Sequence, residues 1–540
     1  VITAAAILAA VLTLVPLVRI RGRFTHTEPK AHTFGLISGL GIMAGLVLGF
    51  PEISGPPAQA LAAFFLFAVF SCAWSDMPYH AIGKLPQWAG FAFLFLCARA
   101  VPAETALMCL YVPSVFVAAY GLLHQIWMRD PFNEQIAKAL KNHKRTRMYS
   151  SLGNPNYVGA YLAPQVFAGL WLGLNASWWF LAPLLIIVPA LVLSRCRAAL
   201  VSVILGFCFV PGTWPYVIVL AFAYGLLTKF RAVKAFFSAK HRENYPSAME
   251  RIAYVKISLA LIRERPLFGW GLQAFKRKIF RVQEVIRLNP RHMGEYAHND
   301  WLEMLIEFGI FGFVLFGLFA AAVFSAGWGS YILLAGFAAC IVNAALFYTL
   351  HLAVTALPLF VLAGVLSGPA GTVAVPPVYG LPLAAVVGYL AYTWCVRPLL
   401  GLYFYNKYME SEEKDIEVVK KALSYAPYNS HFLGTVAAAY HFADPVQALH
   451  LHGKGLHHYD GEVTEWSVWN NYGRAAGNAK ALLLAERAFE AGLELNPEQP
   501  HLKEGLAQTR EILAKLQAQA AKKSKTVKNL KTKRKKGKKK

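Results

Sequence analysis

The sequence predicts an all-α polytopic membrane helical bundle of about 12–13 transmembrane helices with a C-terminal soluble helical-repeat domain. Three observations carry this. The 540-residue chain is 56% hydrophobic and 15% charged, against about 25% charge in a soluble domain. Apolar stretches near the ~18 residues that a bilayer core demands recur through residues 1–400. Past residue 400 the pattern turns amphipathic and polar groups multiply.

The apolar stretches are 1–18, 34–50, 57–74, 86–101, 104–124, 156–173, 177–193, 199–212, 214–228, 301–322, 328–349, 353–370 and 379–400. They lack the alternation of barrel strands, so helices must satisfy the backbone in lipid. Arg19 and Arg21 follow the first stretch with no small-residue cleavage site, which favours a retained helix over a signal peptide. Cys72, Cys97, Cys109, Cys196, Cys208, Cys340 and Cys395 lie in or beside apolar segments without metal-ligand spacing, and are expected to be small core residues.

Two hydrophilic loops stand out, 125–155 and the basic 229–300. With thirteen helices both loops, the Ser194–Ala198 connection and the C-terminal region fall on one side. Loop charge points that side to the cytoplasm, but the rule weakens for long loops, so charge alone leaves the orientation open.

Beyond residue 400, AERAFEAGLELNP ends at Pro497 and a weaker copy, EVVKKALSYAP, ends at Pro427. Their spacing is about twice the 34-residue tetratricopeptide period, so residues 401–518 resemble two to three such repeats, against a plain helical bundle. Residues 519–540 form a Lys-rich tail whose last twenty positions carry twelve positive charges and no acid, half of the net +24. It is expected to be disordered and to attract anionic lipid or glycan; no DNA-binding motif points to nucleic acid.

Ionisable groups at membrane depth are functional candidates. In AHNDWLEMLIEFG, His298 stands at the start of a spanning helix, where the helix dipole disfavours imidazolium and keeps the ring available as a base. Asn299 or Asp300 caps that helix. Glu303 and Glu307 lie one turn apart on one face and need positive partners. Arg195 and Arg197 in SRCRAA, and Arg251 before the RPLFGWG turn, offer cations at matching depth. Guanidinium forks suit a lipid diphosphate, although any one of them alone also reads as a snorkelling interfacial arginine. In SLGNPNY, Asn156 reads as an N-cap and Asn154 as a sugar or phosphate ligand.

The ordered set NPNYVGAYL, SRCRA, Arg251 with RPLFGWGLQAF, and AHNDWLEMLIEFGIFG resembles the O-antigen ligase and polymerase superfamily, which includes bacterial protein O-oligosaccharyltransferases. The likeness spans roughly residues 60–370, and SDMP at Ser75–Pro78 fits it. The resemblance implies a metal-independent, inverting transfer of a glycan from undecaprenyl diphosphate, at the periplasmic face of the bacterial inner membrane. His298 would activate the acceptor hydroxyl, Arg195 and Arg251 bind the diphosphate, and Glu307, Asn299 and Asn154 support them. No cofactor is implied, and no Asp-x-Asp pair stands in the membrane block.

Three acceptors stay open: lipid A-core (the leading one), a growing polysaccharide, or a Ser/Thr of a protein. A repeat domain on the same side would recruit a protein partner. The non-enzyme alternative is a lipid-linked glycan transporter, disfavoured because the membrane block shows no paired halves.

Overall fold

The computed structural model describes residues 2–17, 27–127, 147–219, 246–278, 296–411, 413–457, 466–495 and 497–537. Its contacts divide the chain at Leu400/Gly401 into two compact units.

The first unit holds α1 (Ile2–Leu17), α2 (Thr27–Leu48), α3 (Gly55–Ser71), α4 (Pro78–Arg99), α5 (Ala103–Trp127), α6 (Pro155–Asn175), α7 (Leu184–Ser194) and α8 (Arg197–Gly206). It continues with α9 (Pro246–Glu264), α10 (Phe275–Lys278), α11 (Asp300–Ala326), α12 (Tyr331–Leu346), α13 (Ala353–Leu366) and α14 (Pro377–Ala391). A π-helical turn at Tyr392–Val396 joins α14 to α15 (Arg397–Glu410). Strand pairing among the described residues is limited to Phe50–Pro51 against Thr372–Val373.

Seven described helices are long and apolar enough to cross a membrane, and five shorter apolar helices accompany them. The stretch expected at 214–228 is described only to residue 219. With no hydrophobic force between helices in lipid, packing has to supply cohesion. Here aromatic rings interlock: Phe64 meets Trp88, Phe308 and Phe316 edge-on, and Phe91 stacks on Phe360. Five of the seven cysteines are buried; Cys109 is half-buried and Cys208 exposed.

The helix that carries the acidic motif is broken, and the break organises the unit. At Gly309 the backbone of α11 leaves helical space (φ 62°, ψ −166°), a conformation open essentially to glycine alone. The break frees the Ile306 and Glu307 carbonyls and the Ile310 and Phe311 amides. The RPLFGWG turn takes all four. Trp270 and Gly271 amides donate to Ile306 and Glu307 (both 2.8 Å), while Ile310 and Phe311 donate to Pro266 (2.8 Å) and Leu267 (3.2 Å). A Cβ on Gly309 would stand 2.2 Å from the Leu267 carbonyl oxygen.

The far side of this turn locks onto the Ser75–Pro78 segment. Ser75 Oγ donates to the Leu272 carbonyl at 2.9 Å, and the Leu272 amide donates to Ser71 Oγ at 3.3 Å. Asp76 pairs with Lys278, and Trp270 is gripped between the Arg265 and Lys278 cations, each 4.1 Å from its ring. The loop after α9 is thus tied to α3 and α11 mainly through backbone groups.

The second unit continues with α16 (Ile416–Tyr425), α17 (Ser430–Tyr440), α18 (Pro445–His457), α19 (Trp466–Asn478), α20 (Leu482–Leu495) and α21 (Pro500–Gly537). Each packs on the next. The tail expected to be disordered is helical through Gly537. After Pro500 no proline interrupts it, and Lys, Ala, Gln and Leu are strong helix formers. Beyond Thr509 none of its described side chains is buried, so propensity rather than packing extends it.

Gly309→Ala is expected to lower stability by about 3 kcal/mol or more, because it adds both a clash and a forbidden backbone. Thermal unfolding in detergent checks this, and an unchanged midpoint contradicts the insertion.

Candidate active site

His298 sits between an anchored alanine and an anchored cap. Asn299 is the N-cap of α11, accepting from the Trp301 amide at 3.0 Å and the Leu302 amide at 3.1 Å, and Asp300 is the first helical residue. On the other side, the Ala297 amide donates to Glu303 Oε2 at 2.9 Å. His298 is held between them at φ 55°, a left-handed backbone that costs a non-glycine residue about 1–3 kcal/mol.

Its ring stacks on Tyr254 at 5.3 Å and meets the edge of Tyr348 at 4.8 Å. Nδ1 has no hydrogen-bond partner. Burial, and then the positive charge of Arg251, lower its pKa to about 4. The ring is therefore neutral near pH 7 and able to accept a proton. Arg251 and Tyr254 lie one turn apart on α9, so one helix supplies both the stacking ring and the cation.

The cations gather around the α7–α8 turn. Arg195 caps α7 in a left-handed conformation (φ 51°), and Arg197 opens α8. Cys196, the residue before α8, places its thiol against the Ala198 and Ala199 amides of the first turn. Arg251 acts electrostatically on Cys196 as well as on His298, which ties α9 to this turn.

A fourth arginine, which the sequence reading did not single out, braces the turn. Arg147 Nε donates to the Ser194 carbonyl at 3.0 Å, and its Nη2 donates to Asn156 Oδ1 at 2.5 Å and the Arg195 carbonyl at 3.4 Å. Burial lowers the Arg147 pKa, and repulsion from Arg197 and Arg195 adds to it. Among the described residues, Arg147, Arg195, Arg197 and Arg251 make no ion pair with a carboxylate. Four guanidiniums without a carboxylate partner face one turn, a charge arrangement that suits an anion.

The motif around Asn154 is structural. Asn154, not Asn156, is the N-cap of α6, accepting from the Asn156 amide at 2.8 Å. Pro155 takes the first helical position, where a proline loses no bond, and that puts the cap one residue ahead of it. Tyr157 Oη lies 3.3 Å from Tyr348 Oη, the ring that packs on His298. A Cβ on Gly159 would come within 2.4 Å of the Cys196 Cβ, so its smallness admits the arginine turn.

The glutamates found a different partner from the arginines expected for them. Glu303 and Glu307 are buried and face His351, in the loop before α13: its Nε2 is 3.3 Å from Glu303 Oε1 and 3.8 Å from Glu307 Oε2. Its Nδ1 lies 2.8 Å from Asp300 Oδ1. Hence α11 splits its polar residues, with His298 toward the arginines and the acids toward His351. His351 went unnoticed because it sits in an apolar run; a lone ionisable residue between two spans was the available signal. Glu303, Glu307 and His351 offer ligand atoms within 4.8 Å of one another, three where structural zinc takes four.

Residues 161–317 match the family model described as O-Antigen ligase. No curated protein matches the chain. The matched stretch begins in α6, ends in α11, and contains Arg195, Arg251, His298, Asn299 and Glu307; Arg147, Asn154 and His351 lie outside it. The protein is a multi-helix membrane protein whose stretch matching that model includes the histidine and three of the four arginines.

Because the His298 pKa is lowered to about 4, protonation requires a pH below its usual range. Any reaction in which this ring takes the proton should hold its rate from about pH 8 down to pH 5 and fall only near pH 4. A rate profile with its acid limb near 6.5, the ordinary histidine value, would contradict the burial.

Proposed function

We propose, on the premise of an O-antigen ligase-type region built around His298, that the protein is a membrane glycosyltransferase. It moves a glycan from a lipid diphosphate, undecaprenyl diphosphate in a bacterial inner membrane, to an acceptor hydroxyl at the periplasmic face. The observation that carries this reading is a neutral histidine beside arginines that have no carboxylate partner. A general base and an anion cradle are the two requirements of displacement at a sugar–diphosphate carbon.

The acceptor oxygen forms its bond to the anomeric carbon as that carbon's bond to the phosphate oxygen breaks. His298 takes the hydroxyl proton, and the diphosphate departs with the electron pair. Arg195 and Arg251 stabilise the charge that develops on it, and Arg147 holds Arg195 in place. Attack from the face opposite the leaving group inverts the anomeric centre. No step requires a metal, since guanidiniums supply the positive charge.

Lipid A-core is the acceptor we favour, with a growing polysaccharide or a protein Ser/Thr as alternatives. The second unit, read as tetratricopeptide-like repeats, would recruit the acceptor or a protein partner, and the basic α21 would bind anionic lipid. The transporter alternative leaves the neutral histidine without a role.

His298→Ala is expected to lower transfer at least ~100-fold, while the protein stays in the membrane and lipid-linked donor accumulates. Arg195→Gln and Arg251→Gln should weaken donor binding as well as the rate. Undiminished transfer by His298→Ala would sink the assignment. In cells lacking the protein, loss of long-chain lipopolysaccharide, polysaccharide of single repeats, or unglycosylated protein each selects one acceptor.

A further inference from the structure

Three carboxylates and one imidazole are buried together at the start of α11: Asp300 and Glu307 are at most 1% exposed, Glu303 1% and His351 6%. Helix N-termini favour acids, which accounts for Asp300 and Glu303 in the first turn. Glu307 lies beyond that turn, and neither of its oxygens has a hydrogen-bond partner. A buried acid stays ionised only where a cation or hydrogen-bond donors stabilise it. Among the described residues, the one group ion-paired with any of the three is His351, which meets Asp300 through one nitrogen and Glu303 and Glu307 through the other.

The cluster also controls backbone. Asp300 Oδ2 accepts from Thr349 Oγ1 at 2.8 Å and from the Leu350 amide at 2.9 Å, and the Asp300 amide donates to the Phe347 carbonyl at 3.3 Å. This loop carries Phe347 and Tyr348, which pack on the His298 ring. Gln87 Nε2 on α4 donates to the His351 carbonyl at 3.1 Å and fixes the loop from behind. Glu303, meanwhile, holds the Ala297 amide. His351 thus bridges the acid that orders the residue before His298 and the acid that orders the loop against it.

We infer that His351 is a positioning residue for His298, a buried cation that clamps Asp300 and Glu303 so that the 296–300 segment keeps His298 in its left-handed backbone. It touches neither donor nor acceptor. Its catalytic consequence rests on the glycosyltransferase reading, whereas its effect on the backbone does not.

The test uses full-length protein in detergent, comparing wild type with His351→Gln, which keeps an amide beside Asp300 but no charge. Amide exchange in the 296–300 segment should rise about tenfold or more, while α11 beyond Gly309 stays protected. Transfer should show kcat lower by about tenfold and KM for the lipid diphosphate within about twofold. The double variant Glu303→Gln/His351→Gln removes one acid with the cation and leaves an acceptor for Ala297. Its exchange should return to within about threefold of wild type. Unchanged exchange at 296–300 in His351→Gln overturns the clamp. So does equal loss of protection along all of α11 in both variants, or a stoichiometric divalent metal that His351→Gln loses. If the wild type transfers no glycan, the glycosyltransferase reading fails and the exchange arm still decides the clamp.

Discussion

The first unit depends on the insertion of one turn into one broken helix. Opening α11 at Gly309 frees two carbonyls and two amides, each costly if left unpaired inside an apolar helix. Residues 266–271 supply the four complementary groups, so the break costs no unpaired backbone. Because that turn follows α9 directly, the insertion fixes where α9 begins and ends relative to α11. Arg251 and Tyr254 come to His298 on α9, with the Tyr254 ring stacked on the imidazole.

The same constraint explains why the polar residues separate by sign. Guanidiniums without partners repel one another, and carboxylates without partners are costly in a low dielectric. Placing them together would neutralise both and leave no anion site. The bundle instead gives the acids a histidine from the α12–α13 loop and leaves the arginines open around the α7–α8 turn. His298 stands at the boundary, neutral because it is half-buried and faces a cation. An anionic ligand entering the cradle would complete the charge balance that the protein leaves unfinished.

Much of this was legible in the sequence. Hydropathy gave the membrane block, and the spacing of His298, Glu303 and Glu307 gave one helix with acids on a face. The glycines of RPLFGWG marked a turn, but Gly309 was read inside a continuous span, and nothing local says that the two sites meet, since their pairing spans some forty residues. Asn154 rather than Asn156 caps α6, because Pro155 sets the helix start. Arg147 looked like one basic residue among many in a hydrophilic loop, and its importance lies in carbonyls that only the fold brings to it. His351 was hidden by its apolar neighbours. The helical tail shows the opposite case: composition argued against a core, and its described side chains are exposed, yet composition alone was enough for a helix.

The central claim is that Arg251 and His298 share one electrostatic site because the inserted turn holds them together. The most direct measurement is hydrogen exchange at the C2 carbon of His298, followed by mass spectrometry against pH, in wild type and in Arg251→Gln. The account predicts a wild-type midpoint at about 4 and a higher midpoint once the cation is gone. Identical midpoints in the two proteins would mean that Arg251 does not face His298, and the site described above would not exist.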